Sequence, residues 1–369
     1  MIEPEQRHLS LGFIPLTDSA PLIVATELGF FSQWGLEVEL QKQNSWATLR
    51  DKLHAGILDA AQMLAPMPIA SSLGLGVSAT KVITPLVLSL NGNAITLSES
   101  LHMEILSANG ISHVTLPMAG YLLQKVIAQR LEQGKPKVRF ATVFPYSCHN
   151  YQLRDWLSSA GISQDDVDIV IVPAINMVAF LQSGEIDGCC VGGPWNAKAV
   201  RAGIGLTALT SFDIWQDSPE KVLGMLESWY QAKPNTVLAL CAALKQACVW
   251  LESIPNRFEA ARLLSQDKYL DAKLDVIAPS LLGSCLTHIG KPPRSIPSYN
   301  QFSVSQNSSI NQPEHIRGEW LLKQMSKAGQ LQDVEIPAGF ITTVFRPDIY
   351  QKMRLLLEDQ SVQFYRNSG

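Results

Sequence analysis

Short apolar runs of strand length alternate with amphipathic runs of helical period over residues 9–90, and the alternation returns over residues 138–202. In the first block strands read at 9–14, 36–41, 58–63 and 81–90, with helices at 20–34, 46–54 and 67–73. In the second, strands at 138–142, 167–172 and 188–191 alternate with helices at 147–160, 177–183 and 195–202. The joints carry matching residues. Ser45 is a natural N-cap, Gly35 suits a helix end, Asn91-Gly92 reads as a turn, and Pro194 precedes a helix. Parallel strands need a crossover that is usually helical, so this alternation implies α/β sheets. From residue 212 the strands stop. Helices read at 219–230, 234–254, 257–266, 314–326 and 348–358, with Pro219, Pro234 and Pro255 in first-turn positions. Residues 290–312, rich in Ser, Asn, Pro and Gln, read as a long surface loop.

A chain of 369 residues has room for two domains, and 46% hydrophobic against 17% charged residues can bury a sizeable core. The net charge of −4 offers no basic field for nucleic acid or an acidic membrane. No apolar run approaches the roughly 18 residues of a membrane span. The six cysteines, at 148, 189, 190, 241, 248 and 285, follow neither a disulfide framework nor a zinc spacing, so buried, reduced thiols are expected. There is no Gly-rich phosphate loop, no Gly-x-Ser-x-Gly elbow and no His-Glu-x-x-His. The expectation is therefore no enzyme, no cofactor and no metal. The opening Met-Ile-Glu-Pro-Glu-Gln-Arg-His is polar and lacks the apolar core of a secretion signal, which implies a cytoplasmic location.

Several spaced motifs carry a more specific message. Gly12-Phe-Ile-Pro-Leu-Thr-Asp-Ser-Ala-Pro21 is followed by Gly29-Phe-Phe31, Gly35-Leu-Glu-Val-Glu39 and Asn44-Ser-Trp-Ala-Thr-Leu-Arg-Asp51. Further on come Thr142-Val-Phe-Pro-Tyr-Ser-Cys-His-Asn150, Val172-Pro-Ala-Ile-Asn-Met-Val-Ala179, Cys190-Val-Gly-Gly-Pro-Trp-Asn-Ala197 and Pro219-Glu-Lys-Val-Leu-Gly224. In this order they resemble the nitrate/bicarbonate-type solute-binding proteins of ABC import systems. The resemblance implies a two-lobed periplasmic-binding-protein-like α/β clamshell with a helical C-terminal portion. One lobe would hold residues 1–92 and 212–369, the other 93–211, with the ligand cleft between them.

Nitrate is planar and singly charged, with oxygen acceptors and no hydrogen to donate. A site for it needs N–H donors and a cation. By the resemblance, Trp46 would offer its indole N–H, and Asn93 would stand where transport relatives have a glutamine. His149 would donate a ring N–H, while Gly192, with Gly193 and Pro194, would form a backbone nest for the anion. Lys221 would be the cation. Bicarbonate-binding relatives tend to carry an acid at that position, so the lysine favours nitrate or nitrite. Gly193 replaces an acid found in many relatives, which implies a less negative site, with no carboxylate turned to the ion.

Joined to the absent secretion signal, the site resembles that of the NasS-type cytoplasmic nitrate/nitrite sensors. That resemblance implies regulation of nitrate-assimilation genes through an RNA-binding antiterminator, a protein partner released when the ligand binds, with no direct contact to nucleic acid or membrane. Two alternatives remain on the same fold: the solute-binding component of a nitrate, nitrite, bicarbonate or cyanate transporter, free or fused to an ATPase, and a thiamin-pyrimidine-synthase-like enzyme.

Overall fold

The computed structural model describes residues 2–305 and 308–367. Its ten main strands are β1 (His8–Phe13), β2 (Glu37–Lys42), β3 (Ala60–Leu64), β4 (Val82–Asn91), β5 (Asn93–Ser98), β6 (Val138–Thr142), β7 (Val167–Ile171), β8 (Gly188–Gly192), β9 (Gly205–Thr210) and β10 (Pro219–Leu226). They form two sheets, and the fold is a two-lobed α/β clamshell of the periplasmic-binding-protein kind. The six-stranded sheet runs Asn300–Gln301, β4, β10, β3, β1, β2; the five-stranded sheet runs β7, β6, β8, β5, β9.

Both sheets share a construction. The pairs β1/β2, β1/β3, β6/β7 and β6/β8 are parallel, as helical crossovers require. Among the ten main strands, one in each sheet runs antiparallel to two others: β10 between β3 and β4, and β5 between β8 and β9. These are the strands that receive the chain as it crosses between sheets. The first crossing is as short as it can be: Gly92, at φ +97°, joins β4 to β5. A Cβ there would stand 2.5 Å from Asn300 Oδ1, so both conformation and space call for glycine.

The region after residue 212 differs from the sequence reading in two places. Residues 219–226 form a strand, not the first part of a helix. Over so short a run an apolar pattern cannot separate strand from helix, and pairing on both edges in a buried sheet decides it. Residues 290–312 are also no mere surface loop. Tyr299, Asn300 and Phe302 are buried, and Asn300–Gln301 adds an edge strand beside β4; positions 306 and 307 lie outside the described residues. Elsewhere the helix read at 20–34 is two, Ala20–Glu27 and Phe30–Gln33, separated at Gly29 in the left-handed region. That read at 234–254 ends at Trp250, and a new one, Ile254–Leu264, begins with a proline in its first turn.

Helices Ala20–Glu27, Pro234–Trp250 and Ile254–Leu264 pack on one face of the six-stranded sheet around Leu11, Phe13, Leu86 and Leu240. Helices Glu99–Asn109, Tyr121–Glu132 and Cys148–Ser159 cover the five-stranded sheet around Ile95, Phe140 and Leu153. A third apolar cluster runs from one sheet to the other, joining Leu16, Trp46, Leu64 and Val222 to Val143, Phe144, Val191 and Trp195. The site described next lies along this junction. Helix His315–Lys327 and the residues after it reach the second sheet's side as well: Lys327 pairs with Asp155 at 2.6 Å, and Tyr151 Oη donates to Gln330 Oε1 at 2.7 Å.

Candidate functional site

The five positions singled out from the sequence converge at the junction, all buried. Trp46 opens the helix Trp46–His54, whose N-cap Ser45 accepts from the Thr48 amide. Asn93 and Gly192 are paired residues at the ends of β5 and β8. His149 is the second residue of the helix Cys148–Ser159, capped by Ser147, which accepts from the Asn150 amide at 3.1 Å. Lys221 lies on β10, so it reaches the site from a strand, not from a solvated helix.

Two residues that sequence reasoning missed change the electrostatics. Lys221 Nζ donates to Asp18 Oδ2 at 2.8 Å and to Glu220 Oε1 at 2.7 Å, and all three side chains are at most 2% exposed. The expected carboxylate-free site is therefore corrected: two buried acids face the lysine. Consecutive strand residues ordinarily point to opposite faces. The β10–β4 register slips around Lys221, where Pro219 faces Leu90 and Lys221 faces Ser89. That irregularity lets neighbouring side chains reach one cluster. Asp18 comes from the turn Thr17–Ser19 that follows β1, within the quoted Gly12–Pro21 motif. It is held by Gln62 of β3, whose Nε2 donates to Asp18 Oδ1 at 2.9 Å. The adjacency of Glu220 to Lys221 was the available signal; its burial was not readable without the strand.

Asn93 plays a different part from the one expected. Its amide hydrogens go to Glu220 Oε2 at 2.7 Å and Gln152 Oε1 at 3.1 Å, so neither is left for an anion, and its Oδ1 has no partner. The glycine nest is corrected too. The Gly193 N–H donates to Gly92 O at 3.2 Å, and Gly193 O accepts from the Thr17 amide at 2.8 Å. Gly193 is needed for close approach, since a Cβ would stand 2.7 Å from Thr17 Oγ1. Gly192 leaves ordinary room beside Asn93 Oδ1 and Asp18 Oδ2.

What remains unspent is a set of polar atoms, of which a neutral His149 ring supplies one N–H donor and one acceptor nitrogen. Trp46 Nε1, both ring nitrogens of His149 and Thr17 Oγ1 are buried without a hydrogen-bond partner. His149 Nε2 lies 3.7 Å from Glu220 Oε1, and Lys221 Nζ lies 5.6 Å from the centre of the Trp46 ring. Leaving a buried polar atom unpaired costs about 1–3 kcal/mol, so several in one place mark a site built for something else to enter.

The titration behaviour follows from burial and the lysine. Burial pushes the Glu220 carboxyl above its ordinary value, with Lys221 only partly offsetting it. Burial and then the Lys221 charge push His149 well below its ordinary value, so the imidazole is neutral. Burial opposes the charge on Lys221, but Asp18 and Glu220 outweigh it and hold the ammonium above its usual value. With both acids ionised the cluster carries one net negative charge; protonating Glu220 makes it neutral.

The six cysteine thiols are buried and free. Cys148 Sγ donates to Pro219 O at 2.9 Å, tying the His149 helix to the start of β10. No single helix among the described residues is long and apolar enough to cross a membrane.

The NMT1-like family model matches residues 2–265. The chain is 37% identical over 350 residues to the nitrate import ATP-binding protein NrtC of Synechocystis, covering 94% of this chain and 50% of that protein. It thus spans about half the length of that relative and of the other nitrate and bicarbonate transport ATP-binding proteins it matches. It is 32% identical over 358 residues to the nitrate/nitrite binding protein NrtA of Synechococcus elongatus, covering 95% of this chain and 78% of that one. The crystal structure of periplasmic nitrate-binding NrtA from Synechocystis superposes with a TM-score of 0.86 at 28% identity, covering 97% of this chain and 90% of the other. The chain belongs to the NMT1-like family and, within it, to the nitrate/bicarbonate type of solute-binding protein.

Proposed function

We propose that this chain is a receptor for nitrate or nitrite, held in the cleft between a lobe of residues 1–92 and 212–369 and one of residues 93–211. The observation that carries the reading is the buried Lys221 ammonium, with the unspent donors of Trp46 on one side of the junction and His149 on the other. A flat anion between them accepts from the indole, from one imidazole nitrogen and from the third ammonium hydrogen. The similarity to proteins named for nitrate and nitrite binding supports that choice. Trp46, His149 and Lys221 are the proposed contacts. Gly192 and Asn93 shape the floor, Asn93 by steering Glu220. No metal or cofactor is required, and the binding role is not catalytic.

Asp18 and Glu220 set a condition on this reading. A nitrate ion brought beside two ionised carboxylates adds a third negative charge to a buried cluster. Binding is therefore coupled to taking up a proton, at Glu220 or His149, and is stronger at lower pH. The same acids favour a second reading. Bicarbonate has a hydroxyl to donate, and Glu220 can accept it.

The regulatory role is part of the proposal. An ion contacted from both lobes binds the closed form better and so shifts the chain toward it. A cytoplasmic partner, of the RNA-binding antiterminator type, that grips the open form is then released, and it weakens ligand binding by the same factor. The similarity to ATP-binding import proteins twice as long equally supports a transport role for this fold unit.

Calorimetric titration with nitrate, nitrite and bicarbonate, in a chelator, separates the ligands. Nitrate or nitrite should bind, and Glu220→Gln should tighten nitrate about a hundredfold, since a neighbouring charge at an effective dielectric near 20 is worth about 3 kcal/mol. If only bicarbonate binds, and Glu220→Gln abolishes it, the nitrate reading is wrong. For the role, a pull-down from cell extract should lose its partner as nitrate is added. Capture of a membrane permease instead favours transport.

A further inference from the structure

Far from the Lys221 cluster, a second group of histidines and a carboxylate meets where the C-terminal region crosses onto the five-stranded sheet. Glu99 and His102 lie three residues apart on the helix Glu99–Asn109, and that spacing puts both on one helix face. His288 arrives from the hairpin that pairs Ser284–Cys285 with Arg294–Ser295. The hairpin is fixed against the sheet: the Thr207 amide of β9 donates to Thr287 O at 2.8 Å, and Arg294 holds Asp213 through two bonds at 2.8 and 3.0 Å.

Glu99 Oε2 is 2.9 Å from His288 Nε2, and Glu99 Oε1 is 3.4 Å from His102 Nδ1. One ligand atom from each residue lies within 4.8 Å of the others. Tetrahedral bonds of about 2.0–2.1 Å place ligand atoms roughly 3.3 Å apart, so these separations suit one small ion after slight adjustment. His102 supplies the independent observation. It is 8% exposed, and its Nδ1 is buried with no hydrogen-bond partner. A plain Glu99–His288 hydrogen bond leaves that nitrogen unsatisfied, whereas a shared metal satisfies all three side chains.

We propose that Glu99, His102 and His288 form a binding site for a divalent transition metal, zinc being the best match to two imidazoles and a carboxylate. Three protein ligands leave a fourth position, and the part-exposed side chains of Glu99 and His288 open it to solvent. The metal ties the 284–295 hairpin to the helix Glu99–Asn109, clasping the C-terminal region onto the five-stranded sheet.

Cobalt(II) and zinc(II) alone, added to the metal-stripped chain, test this. Cobalt should give visible bands of four-coordinate geometry without the near-ultraviolet absorption of thiolate ligands, which excludes the cysteines. Zinc should displace it at one ion per chain and raise the melting temperature. His288→Ala, on a hairpin loop where folding is least at risk, should weaken binding about a hundredfold or more, and Glu99→Gln similarly. Circular dichroism checks that both variants fold. Absence of cobalt bands at millimolar metal overturns the assignment, as does a folded His288→Ala that binds like the wild type.

Discussion

Two clusters in this molecule use the same side chains to opposite ends. At the junction of the sheets, His149 stands 3.7 Å from Glu220; on the hairpin side, His288 stands 2.9 Å from Glu99. The first pair is fully buried and has Lys221 against it, with Asp18 completing the charges. The second is partly exposed, and the residues gathered there are two imidazoles and a carboxylate. A buried ammonium consumes carboxylate charge and holds the imidazole neutral, leaving N–H donors facing inward. Without one, the lone pairs of carboxylate and imidazole stay available to a cation. Histidine beside an acid is therefore no signature of either chemistry; the nearest fixed charge decides.

The largest expected effect comes from removing that charge. Lys221→Ala leaves two buried acids unpaired, which should cost about 3–5 kcal/mol in urea denaturation, and should weaken nitrate binding roughly ten- to a hundredfold. Lys221→Glu adds a third acid and should abolish binding. If Lys221→Glu folds and binds nitrate as the wild type does, the lysine is not what distinguishes the clusters, and the reading of the junction is falsified.

A smaller effect is expected from pH. His149 is held below its ordinary value, so its neutral form stabilises the fold. That contribution is complete above about pH 6.5 and is lost as pH falls toward the folded-state value. Glu220 is shifted upward, so its contribution has the opposite sign: present below about pH 4.5 and lost as pH rises through the raised value. Below pH 6.5 the histidine term should lower stability with a slope of up to about 1.4 kcal/mol per pH unit. His54 and His102 are also lowered by burial, so the informative quantity is the difference between wild type and His149→Gln. A variant whose stability falls as steeply as the wild type between pH 6.5 and 5.5 would show that His149 is not the buried neutral group described.

The smallest effect tests what the clusters have in common. Each rests on the first turn of a helix capped by serine: Ser147 accepts from the Asn150 amide and Ser98 from the Leu101 amide, both at 3.1 Å. Ser98→Ala should cost about 1 kcal/mol. Ser147→Ala should cost somewhat more, because its hydroxyl also donates to Phe144 O at 2.6 Å and leaves that buried carbonyl short of a partner. Equal losses in thermal denaturation would mean that the second bond contributes nothing.

The strand–helix rhythm was written in the residues. Boundaries such as Trp46–His54, Met67–Leu73, Val138–Thr142 and Met177–Ser183 coincide with the elements read from hydrophobic period and caps. Those patterns are local: a side-chain period of two or 3.6 and a cap that satisfies a backbone amide need no distant partner. The resemblance carried by spaced motifs also brought Trp46, Asn93, His149, Gly192 and Lys221 together before any fold was known. Tertiary structure decided the rest. It made residues 219–226 a strand by offering pairing edges on both sides, drew Asn300 and Phe302 inward, and turned Glu220 and Asp18 onto Lys221. It also spent the Asn93 amide on an internal acid, and carried His288 across 189 positions to Glu99. None of these is legible locally, because burial and the distance between charges are properties of the packed chain. Those two quantities set whether a lysine, a histidine or a carboxylate is charged, paired or free.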